Sequence, residues 1–136
     1  MLRRLLLRLA ASSRVKEIIT AMPVSSGIVN RYVPGEEVAE AVAVSSGLIG
    51  DGCRVTIDYL GEDTIDQAQA EATVQAYLEL LKALSDAGLA ASSEVSLKLS
   101  AIGQALPEIG QRLSIENARR ICKAARQVGA QVTIVY

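Results

Sequence analysis

Val95-Ser96-Leu97-Lys98-Leu99-Ser100-Ala101-Ile102-Gly103 places a lysine in the middle of what otherwise reads as a buried strand. Val95, Leu97 and Leu99 alternate with Ser96, Lys98 and Ser100, the period-two pattern of a strand with one apolar and one polar face. A charge there needs a partner or a chemical role. Upstream, Val55, Ile57 and Tyr59 alternate with Thr56 and Asp58, and downstream Gln131 to Tyr136 reads as another strand. Helical spacing fills the gaps. Val74, Tyr77, Leu78, Leu81 and Leu84 form one apolar stripe that ends near Gly88; Ile115, Ala118, Cys122 and Ala125 form a second that ends at Gly129. Thr64 with Gln67 reads as the capping box of the first helix, and Ser114 as the N-cap of the second. This order implies parallel strands joined by right-handed crossovers.

The fold class is therefore α/β, with a helical N-terminal lead-in over residues 1–52 and a βαβαβ unit over residues 53–136. The lead-in is expected to break at Pro23, at Pro34-Gly35 and at Ser45-Ser46-Gly47. Inner strands of a doubly wound sheet are covered on both faces and run continuously apolar. Here Thr56, Asp58, Ser96, Lys98 and Thr133 share one parity opposite the aliphatic positions, which favours a barrel with a polar lumen and function at the C-terminal strand ends. The glycine turn of dinucleotide-binding folds is missing: Gly61-Glu62-Asp63-Thr64 follows the first strand, and the glycines at 47, 50 and 52 precede it. A complete (β/α)8 barrel takes about 250 residues. A chain of 136 is expected to hold only the first three strands of an incomplete one.

Acidic and basic residues nearly cancel at a net charge of -1, so nucleic acid is not an expected partner. With no histidine, histidine-dependent triads are excluded and no metal site is expected. Cys53 and Cys122 lie far apart and form no ligand spacing; both read as structural or incidental thiols in a reducing compartment. The opening Leu2-Arg3-Arg4-Leu5-Leu6-Leu7-Arg8-Leu9 reads first as a plain helix and second as a membrane-surface segment, its apolar run being too short for the roughly 20 residues of a span.

Read from the residues alone, Lys98 has two roles open to it: presenting a cation to an anionic ligand, or pairing with Asp58 or another carboxylate to satisfy burial. Asp58 and Glu62, at the end of the first strand and in its loop, read as countercharges for Lys98 or as a helix N-terminal anion before they read as acid/base groups. Arg119, Arg120 and Arg126 read as surface charges.

Together, Val55-Thr56-Ile57-Asp58-Tyr59-Leu60-Gly61-Glu62, the lysine strand and Glu116-Asn117-Ala118-Arg119 resemble the N-terminal part of bacterial proline dehydrogenases of the monofunctional type, from about Arg31 to Ile134. The resemblance implies a distorted (β/α)8 barrel, FAD as cofactor, L-proline oxidised to pyrroline-5-carboxylate, and a quinone as electron acceptor. It implies that Lys98 helps to bind the proline carboxylate. It also implies an aspartate after Val132-Thr133-Ile134, where this chain has Val135. The later strands that carry most FAD contacts, the aromatic lid and the substrate-gripping arginine pair are not found here, so the expectation is a truncated product that is inactive alone. The alternative is a non-catalytic α/β interaction module that self-associates through open strand edges. Either would be cytoplasmic, the enzyme with peripheral contact to the inner face of the membrane.

Overall fold

The computed structural model describes residues 2–10, 12–22, 27, 33, 35–61 and 64–135. Contacts divide the chain into two compact units, residues 1–35 and 36–136. The first holds α1 (Leu2–Ala10) and α2 (Ser13–Ala21). The second runs α3 (Val38–Gly50), β1 (Val55–Asp58), α4 (Gln67–Asp86), β2 (Ser93–Lys98), α5 (Gly110–Val128) and β3 (Gln131–Val135). The strands form a parallel sheet in the order β1-β2-β3, as the alternating patterns imply.

The core lies on one side of this sheet. Val95 and Leu97 of β2 pack with Val74, Tyr77, Leu81 and Leu84 of α4 and with Ile121 and Ala125 of α5. On the opposite face Thr56, Asp58, Lys98, Gln131 and Thr133 are exposed and Glu94 and Ser96 are half-buried. The shared parity read from the sequence is thus real. Cα register aligns Thr56 with Glu94 and Gln131, Asp58 with Ser96 and Thr133, and Lys98 with Val135.

Several local expectations shift. The N-cap of α4 is Asp66, whose carboxylate accepts the Gln69 N–H at 2.8 Å, while the Gln69 side chain accepts the Ile65 N–H at 3.1 Å. Thr64 is instead buried, and its backbone N–H and its hydroxyl both donate to the Ser100 carbonyl at 3.2 Å. The cap moved because Thr64 is occupied in tying the β1 loop to the β2 loop. Ser114 is not a cap either: α5 starts four residues earlier, and Ser114 is buried with its hydroxyl on Gln111 O at 3.0 Å. The buried stripe of α5 is Ser114, Asn117, Ala118, Ile121 and Ala125, whereas Ile115 is exposed and Cys122 half-buried. α3 continues through Ser45-Ser46-Gly47 without a break, because the buried Ser45 is small enough for the close helix packing that overrides weak propensity. Pro23 and Pro34 lie outside the described residues. Gly88 and Gly129 do end α4 and α5, at φ +73° and +81°.

Arg120 departs from a plain surface charge. Its guanidinium grips Glu71 of α4 with two hydrogen bonds, of 2.6 and 2.8 Å, and also donates to Asn117 Oδ1 at 3.2 Å. The Arg120 bonds, then one from Gln75, hold the Glu71 carboxyl down at about 2. A depressed folded-state value means stability present above the ordinary value of 4.5 and lost as pH falls toward 2. The two side chains are 41% and 48% exposed, so solvent screening keeps the effect below about 1 kcal/mol. Urea unfolding of Glu71→Gln across acid pH should show a slightly flatter profile than the parent; an identical profile would remove the clamp as a contributor.

Candidate active site at the C-terminal strand ends

In a parallel sheet all C-terminal strand ends meet at one edge, and here that edge carries Asp58, Lys98 and Val135. Lys98 is the last residue of β2, followed by a short 3-10 turn, Leu99–Ile102. It is exposed, not buried, which corrects the reading that opened on a buried ammonium. The reason is positional: the strand ends one residue after the buried Leu97, and no layer covers the polar face at that point among the described residues. Asp58 is exposed on the same face, its register partner Ser96 standing two residues before Lys98. Glu62 lies outside the described residues.

The edge is held from beneath by Tyr77, which the sequence presented only as one member of an apolar stripe. Its ring is 1% exposed. Its hydroxyl donates to Ser96 O at 2.6 Å and accepts the Tyr59 N–H at 3.4 Å. It therefore stands between the two strands where the next ladder bond would lie, and pairing of β1 with β2 stops at Asp58↔Ser96. β2 goes on with β3 for two more residues, so Lys98 has a ladder partner in β3 and none in β1. The rings of Tyr59 and Tyr77 meet edge to face at 6.1 Å. Burial pushes the Tyr77 hydroxyl up to about 12, opposed by the Tyr59 N–H and helped by the nearby Asp58 carboxylate.

Behind Lys98 the connection to α5 is rigidly seated. Asn117 Nδ2 donates to Ile102 O at 3.1 Å from inside the core, and Gly103 sits at φ +107°. Among the described residues Ser100 Oγ, two residues past the lysine, is buried with no hydrogen-bond partner. Leaving a buried hydroxyl unpaired costs about 1–3 kcal/mol, which a bound polar group would relieve. Glu94 is a further polar-face residue that the sequence reading passed over; its carboxylate accepts a hydrogen bond from Thr133 Oγ1. Its signal was the same alternation that marked Ser96 and Lys98. Among the described residues no cluster of three metal-ligating side chains occurs, and no helix is long and apolar enough to cross a membrane.

A profile of the proline dehydrogenase family matches residues 42–135, which include all three strands and the lysine edge. The chain belongs to the proline dehydrogenase family. It is 32% identical over 107 residues to "Proline dehydrogenase" of Deinococcus radiodurans, covering 79% of this chain and 34% of that one. It is 31% identical over 134 residues to "Proline dehydrogenase 1" of Bacillus subtilis strain 168, covering 98% of this chain and 42% of that one. The chain thus spans between a third and a half of the length of these curated relatives. In family terms the register is informative: the position where the resemblance implies an aspartate is Val135, the direct sheet neighbour of Lys98. A valine there offers no side-chain acceptor to the ammonium.

Proposed function

We propose that these residues supply the substrate-anchoring wall of a proline dehydrogenase barrel, in which Lys98 receives the carboxylate of L-proline. The observation that carries this reading is the place of Lys98: an exposed cation at the C-terminal end of a strand, on the polar face, beside Asp58 and the Val135 position. The reaction removes a hydride from the ring carbon next to nitrogen and a proton from that nitrogen, leaving the C=N bond of pyrroline-5-carboxylate. FAD would take the hydride and a quinone would take the electrons, at a cytoplasmic site beside the membrane.

The described residues fit the substrate better than the flavin. The α4 N-terminus after β1, where a phosphate group could otherwise be held, is capped by the carboxylate of Asp66. Its negative charge opposes a pyrophosphate. The share assigned to this chain is orientation of proline by Lys98.

Expressed by themselves, residues 1–136 are expected to show no flavin absorbance and no proline-dependent dye reduction, because Thr56, Asp58, Lys98, Gln131 and Thr133 of the polar face are exposed. Grafted in place of the matching part of the Bacillus subtilis relative, they should support proline oxidation, improved by Val135→Asp. Within that graft, Lys98→Ala should lower kcat/KM for proline about tenfold to a hundredfold, the range of a lost hydrogen bond to a charged group. An active graft whose kcat/KM ignores Lys98→Ala would sink the assignment.

The interaction-module reading draws on one observation: β3 is an edge strand with Ile134 and Val135 exposed. Size-exclusion chromatography separates the two readings. A cooperative, flavin-free dimer that Val135→Lys dissociates would favour the module.

A further inference from the structure

The proline reading leaves α1 without a task, yet α1 sorts its side chains more sharply than the other described helices. Leu5, Leu6 and Leu9 fall within about a third of the helix circumference, while Arg3, Arg4 and Arg8 fall on the other side, with Leu7 among them. A leucine stripe in a water-soluble unit is ordinarily covered by its neighbours. Here Leu5, Leu6 and Leu9 are 56%, 55% and 44% exposed.

Charge is sorted along the chain as well. Residues 1–16 contain Arg3, Arg4, Arg8, Arg14 and Lys16 and no carboxylate; the remainder carries nine basic against fifteen acidic residues. The near-zero net charge thus hides a strongly cationic opening. An apolar face flanked by arginines calls for a surface that offers hydrocarbon and anions in adjacent layers. A bilayer with anionic headgroups has that layering, with leucines entering the acyl boundary and guanidinium groups reaching out to phosphates. A nucleic acid would neutralise the arginines but leave the leucines in water, and the segment has no aromatic side chain to stack on bases.

We propose that α1 is an interfacial lipid anchor, seated in the plane of an anionic bilayer surface. With nine residues it is about 14 Å long and lies on the membrane without crossing it. The proposal sharpens the membrane-side placement given above by naming the element and the lipid charge. Its test reads lipid alone, so it can fail while the role of Lys98 stands, and the reverse.

The test is flotation of the full 136-residue chain with vesicles of phosphatidylcholine containing about a third phosphatidylglycerol, against vesicles of phosphatidylcholine alone. Aggregated protein sinks in this assay and cannot imitate binding. The chain should float with the anionic vesicles and roughly tenfold less with the neutral ones, and raising the salt should release it. Leu5→Asn with Leu9→Asn, and separately Arg4→Gln with Arg8→Gln, should each reduce flotation about tenfold. Both pairs lie outside the compact unit that holds the strands, and thermal unfolding of each variant checks that this unit is intact. Absence of flotation, equal flotation on both lipids, or indifference to either pair overturns the proposal. So does tighter binding to duplex DNA than to anionic vesicles.

Discussion

Tyr77→Ala is expected to remove a large part of the folding stability of the unit that holds the strands. The ring fills the middle of the α4–sheet interface, and removing a buried aromatic side chain costs about 3–5 kcal/mol. The hydroxyl adds a second loss, since the Ser96 carbonyl and the Tyr59 N–H give up a shared partner. A domain of this size has only about 5–15 kcal/mol to lose. Tyr77→Phe separates the two effects: it keeps the ring and should cost about 1–3 kcal/mol. Alkaline titration offers an independent reading. The hydroxyl rises from 10.0 to about 12 on folding, so its stabilisation is complete below pH 10 and disappears as pH climbs to about 12, where the unfolded chain gives up the proton first. Two units correspond to about 2–3 kcal/mol. Urea unfolding followed by circular dichroism between pH 8 and about 12 should show this fall in the parent and a flatter curve in Tyr77→Phe. A phenylalanine variant with parental stability and an unchanged alkaline slope would mean that the hydroxyl does not hold the strand ends.

Gly110→Ala should be the most damaging of the glycine substitutions, with a cost of about 3 kcal/mol or more. A Cβ at that position would stand 2.3 Å from the carbonyl oxygen of Gln104 and 2.8 Å from its carbonyl carbon. Both are backbone atoms. No rotamer change can move them, and the Gly110 N–H is itself bonded to Leu106 O at 3.0 Å, so the whole connection from β2 to α5 must shift. That connection follows directly on Lys98 and is anchored by Asn117 on Ile102 O, so the damage reaches the lysine edge. Gly47→Ala makes the control: it lies within α3 with nothing inside 4 Å of the new methyl, and alanine should be neutral or stabilising by about 0.5–1 kcal/mol. Chemical denaturation of the two variants side by side checks the contrast. Equal stabilities would show that the loop yields freely and that the close approach has no energetic weight.

Alternation along three short segments was enough to place the strands, to pair them in parallel, and to put Thr56, Asp58, Ser96, Lys98 and Thr133 on one face. Side chains in a strand alternate by stereochemistry, so parity survives whatever packs on the sheet. Helix phase was less legible. Ser114 and Asn117 lie in the buried stripe of α5 because each has a hydrogen-bond partner there, and a pattern built on apolar residues assigned that stripe to Ile115 and Cys122 instead. Caps failed for a related reason: Thr64 and Asp66 both suit a helix start, and the contact of Thr64 with Ser100, 36 residues away, settled which one serves.

The residues in their order were sufficient for the α/β class, for the family, and for Lys98 as the cation on the polar strand face. Those properties follow from periodicity and residue type, which are local. Three things waited on the folded chain: the stop of β1 at Asp58, the exposure of Lys98, and its pairing with Val135. Each depends on groups distant in sequence that meet only in the folded chain, and the stop of β1 on which of them reaches a backbone amide first. Tyr77, from a helix 18 residues along, reaches Tyr59 before β2 can, and no reading of either segment alone contains that meeting.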